Sequence, residues 1–461
     1  MIPLSLASIA EITGARLGAG TDPGGVADSV VIDSRKAGPG SLFAALPGEN
    51  VDGHDFATAA IAGGAVAVLA SRPVGAPALI VPDVPGAMAA LARAVVAALP
   101  GLTVAGITGS VGKTTTKDLT AQLVERLGPT VAPYESYNNE IGHPLTVLRV
   151  TADTRYLVLE LSARGPGHIA QLCAIAPPRL GAVLSVGHAH AGEFGGLDEV
   201  ARAKGELPAA LPPGGVALLN ADDPRVLAMA ERTAARVVTF GLRPGATVRA
   251  DGVTLGRDGR PAFTLVTPVG TAPVRLRLLG AHNVVNALAA AAIAGELGMP
   301  VTEMAEGLSA ATPRSKWRME VTERADGVTV INDAYNANPE GMAAALETLA
   351  TVARARRAIA VLGPMNELGD ESHRRHEEVG GLAARAGVAG LIVVGEHAAP
   401  MLTGAKAERS WRGELISVPD AESAVTALGN LLGPGDVVLV KASRTIGLER
   451  VALALTGEAA K

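Results

Sequence analysis

The chain is 461 residues long, with a formal net charge of −5, 48% hydrophobic residues and only 2% aromatics. That length exceeds one compact core and suggests about three domains at roughly 150 residues each, and the near-neutral charge without a long basic run gives no electrostatic case for nucleic acid or an anionic membrane as partner. A lone Cys173 excludes an internal disulfide framework, as expected in a reducing compartment.

Met1-Ile2-Pro3-Leu4-Ser5-Leu6 carries no basic residue ahead of its apolar ones, and Glu11 arrives early. No signal peptide is expected. The apolar stretch 87–99 is interrupted by Arg93 and falls short of the ~20 residues of a membrane span. The expectation is a cytoplasmic α/β protein. Residues 1–100 mix short β-like runs (30–32, 42–46, 65–69) with Gly/Pro turns and an Ala-rich helix near 86–99, and Pro100-Gly101 marks a boundary. A βαβ series with a parallel sheet follows over 101–313. Its strands lie at 102–107, 157–161, 182–186 and 216–220, and its first helix starts at Lys113 with Leu119, Leu123 and Leu127 on one face. Residues 245–279 alternate polar and apolar around Asp258-Gly259 and Val269-Gly270, which predicts an antiparallel insertion, and an Ala-rich helix spans 283–297. A Rossmann-like domain is expected over 314–461, with strands near 328–332, 358–362, 391–394 and 437–441. It lacks the Gly-x-Gly-x-x-Gly fingerprint of dinucleotide binding.

Thr108-Gly109-Ser110-Val111-Gly112-Lys113-Thr114-Thr115 joins a predicted strand to a predicted helix. Glycines there let backbone N–H groups turn around phosphate oxygens, with the helix N-terminus adding its dipole. Lys113 would reach the terminal phosphates, and the Thr114 hydroxyl would ligate Mg²⁺. The general pattern has a glycine six residues before the lysine, where this chain has Ile107. The loop is therefore a variant, but its strand–loop–helix setting argues for a nucleotide. An Asn-Lys-x-Asp element selecting guanine is absent, so the nucleotide is read as ATP.

Glu160 ends an apolar strand, where a parallel sheet presents ligands, and beside the phosphate loop it is read as a Mg²⁺ contact. His188-Ala189-His190 follows another strand, but nothing completes a four-ligand zinc set. Hydrogen bonding is expected of His188 and contact with a second metal of His190. Lys204 lies on a predicted helix, and its residue type alone says no more than solvated lysine.

These residues resemble the Mur ligases of peptidoglycan synthesis, over essentially the whole chain. The loop matches that family's Thr-Gly-x-x-Gly-Lys-Thr variant. So, in order, do Asn138-Asn139-Glu140-Ile141-Gly142, Gly280-x-His282-Asn283-x-x-Asn286, Asn332-Asp333-Ala334-Tyr335-Asn336-Ala337-Asn338-Pro339 and Val440-Lys441-Ala442-Ser443-Arg444. Asp33-Ser34-Arg35 with Pro39-Gly40-x-Leu42-Phe43, the Asp333–Pro339 run and Leu362-Gly363-x-Met365-x-Glu367-Leu368-Gly369 resemble the subgroup adding D-alanyl-D-alanine to a UDP-N-acetylmuramoyl-tripeptide. Trp317-Arg318-Met319-Glu320 resembles actinobacterial members.

The resemblance implies a UDP-binding N-terminal domain, a central ATPase domain, a C-terminal ligase domain, a monomer, ATP and two Mg²⁺ ions. It also implies a carbamylated Lys204 that helps hold the second ion, with Glu160 and His190 as its fellow metal contacts. Such a carbamate forms only on a neutral amine, so the site must lower the lysine pKa. By the same resemblance, Asn283 and Asn286 would face the nucleotide, with Asp333 and Asn336 closing from the C-terminal domain. Ser34, Arg35, Asn138 and Asn139 would attend the UDP-linked substrate. Ser162, Ser185, His188 and His143 depart from the family's usual residues near the centre of the site. They leave open a paralogue using D-alanyl-D-lactate or a natural-product substrate. A folate-polyglutamylating ligase fits the first domain and the Asp333–Pro339 run poorly. A nucleotide-dependent switch without ligation is the alternative of a different class.

Overall fold

A computed structural model describes residues 1–48, 51–188 and 195–457, arranged as three α/β domains. In the first, strands Ser29–Val31, Ser41–Ala44, Ala67–Ala70 and Ala78–Ile80 run parallel, with Arg16–Leu17 antiparallel at one edge. Helix Val84–Ala97 covers this sheet with its buried Met88, Leu91 and Val95. A two-stranded pairing of Leu4–Ser5 with Val26–Ala27 lies beside it.

The central domain is built on a nine-stranded sheet. Its spatial order is Gly270–Arg275, Pro261–Thr267, Val248–Leu255, Arg236–Gly241, Val216–Asn220, Leu180–Val183, Thr103–Thr108, Tyr156–Glu160 and Thr130–Val131. The apolar runs were expected to be parallel strands, and they are, because their side chains are buried on both faces. The alternating 245–279 region is antiparallel as expected, but it extends the same sheet. Strand Leu180–Val183 stops earlier than the predicted 182–186, since Ser185 turns away to hold the phosphate loop. Helix Lys113–Val124 ends before Leu127, which is half-buried beyond it. The alanines of helix His282–Glu296 are almost all buried, and their small size lets it pack closely on helix Lys113–Val124.

From strand Thr103–Thr108 the chain builds Tyr156–Glu160 on one side, then crosses to Leu180–Val183 on the other. A parallel sheet leaves a crevice beyond the carboxyl ends of its strands where the order reverses. The phosphate loop and Glu160 both open onto that crevice.

The third domain orders its sheet as Glu320–Glu323, Thr329–Asn332, Val437–Lys441, Ala358–Leu362, Gly390–Val394 and Glu414–Val418, all parallel except the first. No described helix is long and apolar enough to cross a membrane.

Candidate active site

Gly112 takes a left-handed φ of 83° to enter helix Lys113–Val124. A Cβ there would also sit 2.3 Å from Asn286 Oδ1, so the position requires glycine twice over. The loop is held from behind: Ser110 N–H donates to the Ser185 carbonyl (3.0 Å) and Val111 N–H to the Ser185 hydroxyl (3.2 Å). Ser185, a departure from the family pattern, thus keeps a loop-supporting oxygen. The helix's first N–H groups have no partner within the helix and suit an anion. Lys113 Nζ donates to its own loop at the Gly109 carbonyl (2.7 Å). Burial lowers its pKa, and the Glu160 charge partly offsets this.

Glu160 is buried at the strand end; Oε1 accepts from Asn138 Nδ2 at 2.7 Å, while Oε2 is buried without a hydrogen-bond partner among the described residues. A buried carboxylate oxygen without a partner is costly unless something else takes it up. The Thr114 hydroxyl lies 3.0 Å from that of Ser136, and Arg318 Nη2 donates to both at 3.1 Å. Hard oxygens of this kind fit Mg²⁺, which usually takes one or two protein ligands and completes its shell with water and phosphate. Among the described residues no three acidic, histidine or cysteine side chains converge as a metal cage. His190 lies outside the described residues. Lys204 is buried, and burial first, the Lys113 charge second, push its pKa well below the usual lysine value.

The opposite wall comes from the third domain. Lys441 Nζ donates to Asp333 Oδ2 (2.6 Å) and to the Asn336 carbonyl (2.8 Å), and Asp333 Oδ1 accepts from Met319 N–H (3.1 Å). The Arg318 guanidinium stacks 4.2 Å from the Tyr335 ring centroid, and Arg444 stacks 4.0 Å from that of Trp317. Trp317 and Met319, on either side of Arg318, have left-handed φ of 55° and 52°. This conformation is strained for side-chain-bearing residues, at the segment joining the two domains. Between the walls lies a cavity of about 1080 Å³.

The structure brings Lys113, Thr114, Glu160, Asn283, Asp333 and Asn336 to this cavity. Asn286 also lines it, but its side chain spans Thr116 and Asn283 and so braces the loop. Asn138 lines it as the partner of Glu160. Asn139 lines it too, but its Oδ1 accepts from Ile141 and Gly142 N–H and closes a local turn. Ser34 and Arg35 lie outside it, Arg35 being exposed and paired with Asp33. Ser162 lines the cavity; His143 is fully buried, with the Leu172 backbone as a weak partner to its ring. Sequence reasoning missed the roles of Arg318, Ser136 and Glu340, whose partners come from distant segments of the chain. The available signals were the place of Arg318 in the Trp317–Glu320 run and of Glu340 directly after the Asn332–Pro339 run.

Three family profiles match the chain: "Mur ligase family, catalytic domain" over residues 27–96, "Mur ligase middle domain" over 107–294 and "Mur ligase, glutamate ligase domain" over 317–444. A UDP-N-acetylmuramoyl-tripeptide–D-alanyl-D-alanine ligase of Mycobacterium leprae is 48% identical, covering 100% of this chain and 99% of its own. The Escherichia coli protein of the same name is 37% identical, over 99% of each. The crystal structure of MurF from Acinetobacter baumannii superposes with a TM-score of 0.88 at 31% identity over 99% of both chains. A MurF ligase of Thermotoga maritima in complex with ADP gives 0.79 at 29% identity, covering 93% of this chain and 97% of the other.

Proposed function

Since the chain belongs to the Mur ligase family, we propose that it joins D-alanyl-D-alanine to a UDP-N-acetylmuramoyl-tripeptide in the cytoplasm, as a monomer, using ATP. The observation that carries this reading is one cavity facing three groups: a phosphate loop, a carboxylate with an unclaimed oxygen, and an Asp333–Lys441 pair from another domain.

A carboxylate is a poor electrophile, so the acid must first be activated. The tripeptide's terminal carboxylate attacks the γ-phosphorus of ATP; the bond to the β-phosphate oxygen breaks, leaving an acyl-phosphate and ADP. The amine of D-alanyl-D-alanine, having lost a proton, then attacks the acyl carbon. The tetrahedral intermediate collapses as its C–O bond to phosphate breaks, the surplus nitrogen proton leaving with the phosphate, and the amide remains. Lys113 and the loop N–H groups bind the transferring phosphoryl group and offset its charge. Arg318 adds a second cation beside Thr114. Glu160 and Thr114 would hold Mg²⁺, which supplies charge neutralisation at phosphate oxygens. Closure of Asp333 and Asn336 over the nucleotide excludes water that would hydrolyse the acyl-phosphate.

Lys204 is assigned as a carbamate, helping with His190 to hold a second Mg²⁺. Its burial supports this, because a depressed pKa supplies the neutral amine that adds to CO₂. Asn283 is assigned to the adenine. Ser34, Arg35, Asn138 and Asn139 are assigned to the UDP-linked substrate, the first two binding its distal end since they lie outside the cavity. The domain divisions fall near 100 and 313.

The test is phosphate release with UDP-muramoyl-tripeptide, with and without D-alanyl-D-alanine, and with D-alanyl-D-lactate in its place. Release that depends on both acid and D-alanyl-D-alanine is expected. Identical nucleotide consumption whether or not both are supplied would overturn the reading.

A further inference from the structure

Behind the phosphate loop, a chain of hydrogen bonds crosses from the central to the third domain. The Ser110 hydroxyl donates to the Gly187 carbonyl (3.1 Å) and accepts from Gly187 N–H (2.8 Å). At the next residue, His188 N–H donates to Glu340 Oε1 at 2.9 Å and His188 Nδ1 lies 2.7 Å from the same oxygen. His188 Nε2 meets the Arg375 guanidinium. A guanidinium only donates, so Nε2 carries the lone pair and Nδ1 the proton, which it gives to Glu340.

The partners are prepared for this. Glu340 lies in the first turn of helix Pro339–Ala353, where the dipole favours a carboxylate. Arg375, on helix Ser372–Arg385, is only 16% exposed and is oriented by Glu371 (3.0 Å) and Glu378 (2.9 Å). Gly187 leaves the approach open, since a Cβ there would stand 2.8 Å from Glu340 Oε1. The same helix is capped by Asn338, two residues beyond Asn336, whose carbonyl accepts from Lys441. One end of this helix therefore contributes to both the nucleotide-facing wall and the back of the phosphate loop.

We infer that His188, Glu340 and Arg375 form a clasp that sets the third domain against the phosphate loop, acting as positioning residues for phosphoryl transfer. Glu340 also lines the cavity, with its Oε2 buried and without a hydrogen bond among the described residues, while the clasp uses its Oε1. The effect of the three residues runs through Gly187 and Ser110, which fix the loop's backbone. The inference rests on the ligase reading for its activity readout, but its conformational half stands apart from that reading.

The test is a double-mutant cycle of His188→Ala and Glu340→Ala, with Glu340→Gln and Arg375→Gln alongside. A misplacement of about 1 Å in such a site costs on the order of 100-fold in rate. Each alanine variant should therefore lower kcat for acid- and amine-dependent phosphate release by roughly 10- to 100-fold, with KM for ATP within about threefold and thermal unfolding unchanged. The double variant should be no slower than the slower single one, because the two residues form one contact. Glu340→Gln should recover part of the rate, since the amide oxygen still accepts both N–H groups. Small-angle scattering with a non-hydrolysable ATP analogue and tripeptide should show contraction of the wild type and not of the alanine variants. Single variants within twofold of wild type, losses that multiply in the double variant, or unaltered contraction would each overturn the clasp. A wild type without acceptor-dependent release would sink the ligase reading alone, and scattering would still decide the clasp.

Discussion

Single side chains set the chemistry, and two of them separate function from fold. Lys113→Ala removes the cation assigned to the transferring phosphate and should abolish turnover, measured as phosphate release, while leaving the unfolding midpoint near wild type because its hydrogen bond among the described residues is to its own loop. His143 tests the opposite case. Its ring is fully buried and its pKa is pushed by burial from 6.5 to about 4, with the nearby Leu172 carbonyl offsetting this only in part. The unfolded chain therefore takes up a proton that the folded chain refuses. Stability should fall as pH drops from 6.5 towards 4, by roughly 3 kcal/mol in all, and be flat on this ring's account above 6.5. His143→Leu should flatten that slope and raise stability at pH 7 by about 1–3 kcal/mol, since a buried imidazole with little hydrogen bonding disappears. Denaturant titrations at pH 5 and 7 check both. Lys113 was legible because glycines and a helix start fix its surroundings within a few residues. Arg318 was not, because its partners Thr114, Ser136 and Tyr335 come from distant segments.

At the scale of elements, the strand–loop–helix unit depends on one residue's backbone. Gly112→Ala should weaken nucleotide binding by at least tenfold: left-handed φ costs an alanine about 1–2 kcal/mol, and the new methyl must displace Asn286. Circular dichroism should stay unchanged while nucleotide titration weakens; tight binding by the variant would mean that Asn286 braces nothing. Buried parallel strands such as Ala358–Leu362 and Val437–Lys441 were readable because both faces are apolar. Edge strand Glu414–Val418 went unread, since its side chains are exposed or half-buried and carry no apolar run. Strand Arg236–Gly241 was likewise missed, since its exposed and half-buried first residues, Arg236 and Val237, and Thr239 break the continuous burial seen in neighbouring Val216–Asn220. Pairing with an already formed sheet decides such segments, and their own residues carry little of that information.

For the whole molecule, the decisive question is how two domains meet over one cavity. The sequence named groups on both walls, Lys113 on one and Asp333 on the other, but not the joint between them. That joint is made by contacts across long stretches of chain: Lys117 Nζ to the Ser315 hydroxyl, Arg318 Nη2 to the Thr114 and Ser136 hydroxyls, and His188 N–H to Glu340. Asp333 serves the joining segment through one oxygen, which accepts from Met319 N–H, and Lys441 through the other, and both side chains are largely buried. Lys441→Met strands the Asp333 carboxylate and should destabilise the third domain by about 3–5 kcal/mol, the usual result of breaking a buried pair from one side. Adding Asp333→Asn removes the stranded charge and keeps an oxygen for Met319 N–H, so most of that stability should return. Catalysis should not return with it, because the charge proposed to face the nucleotide is gone. Unfolding curves and acceptor-dependent phosphate release on the same three variants separate the two roles. Recovery of both in the double variant would reduce the pair to scaffolding, whereas recovery of folding alone assigns it to holding the nucleotide as the domains close.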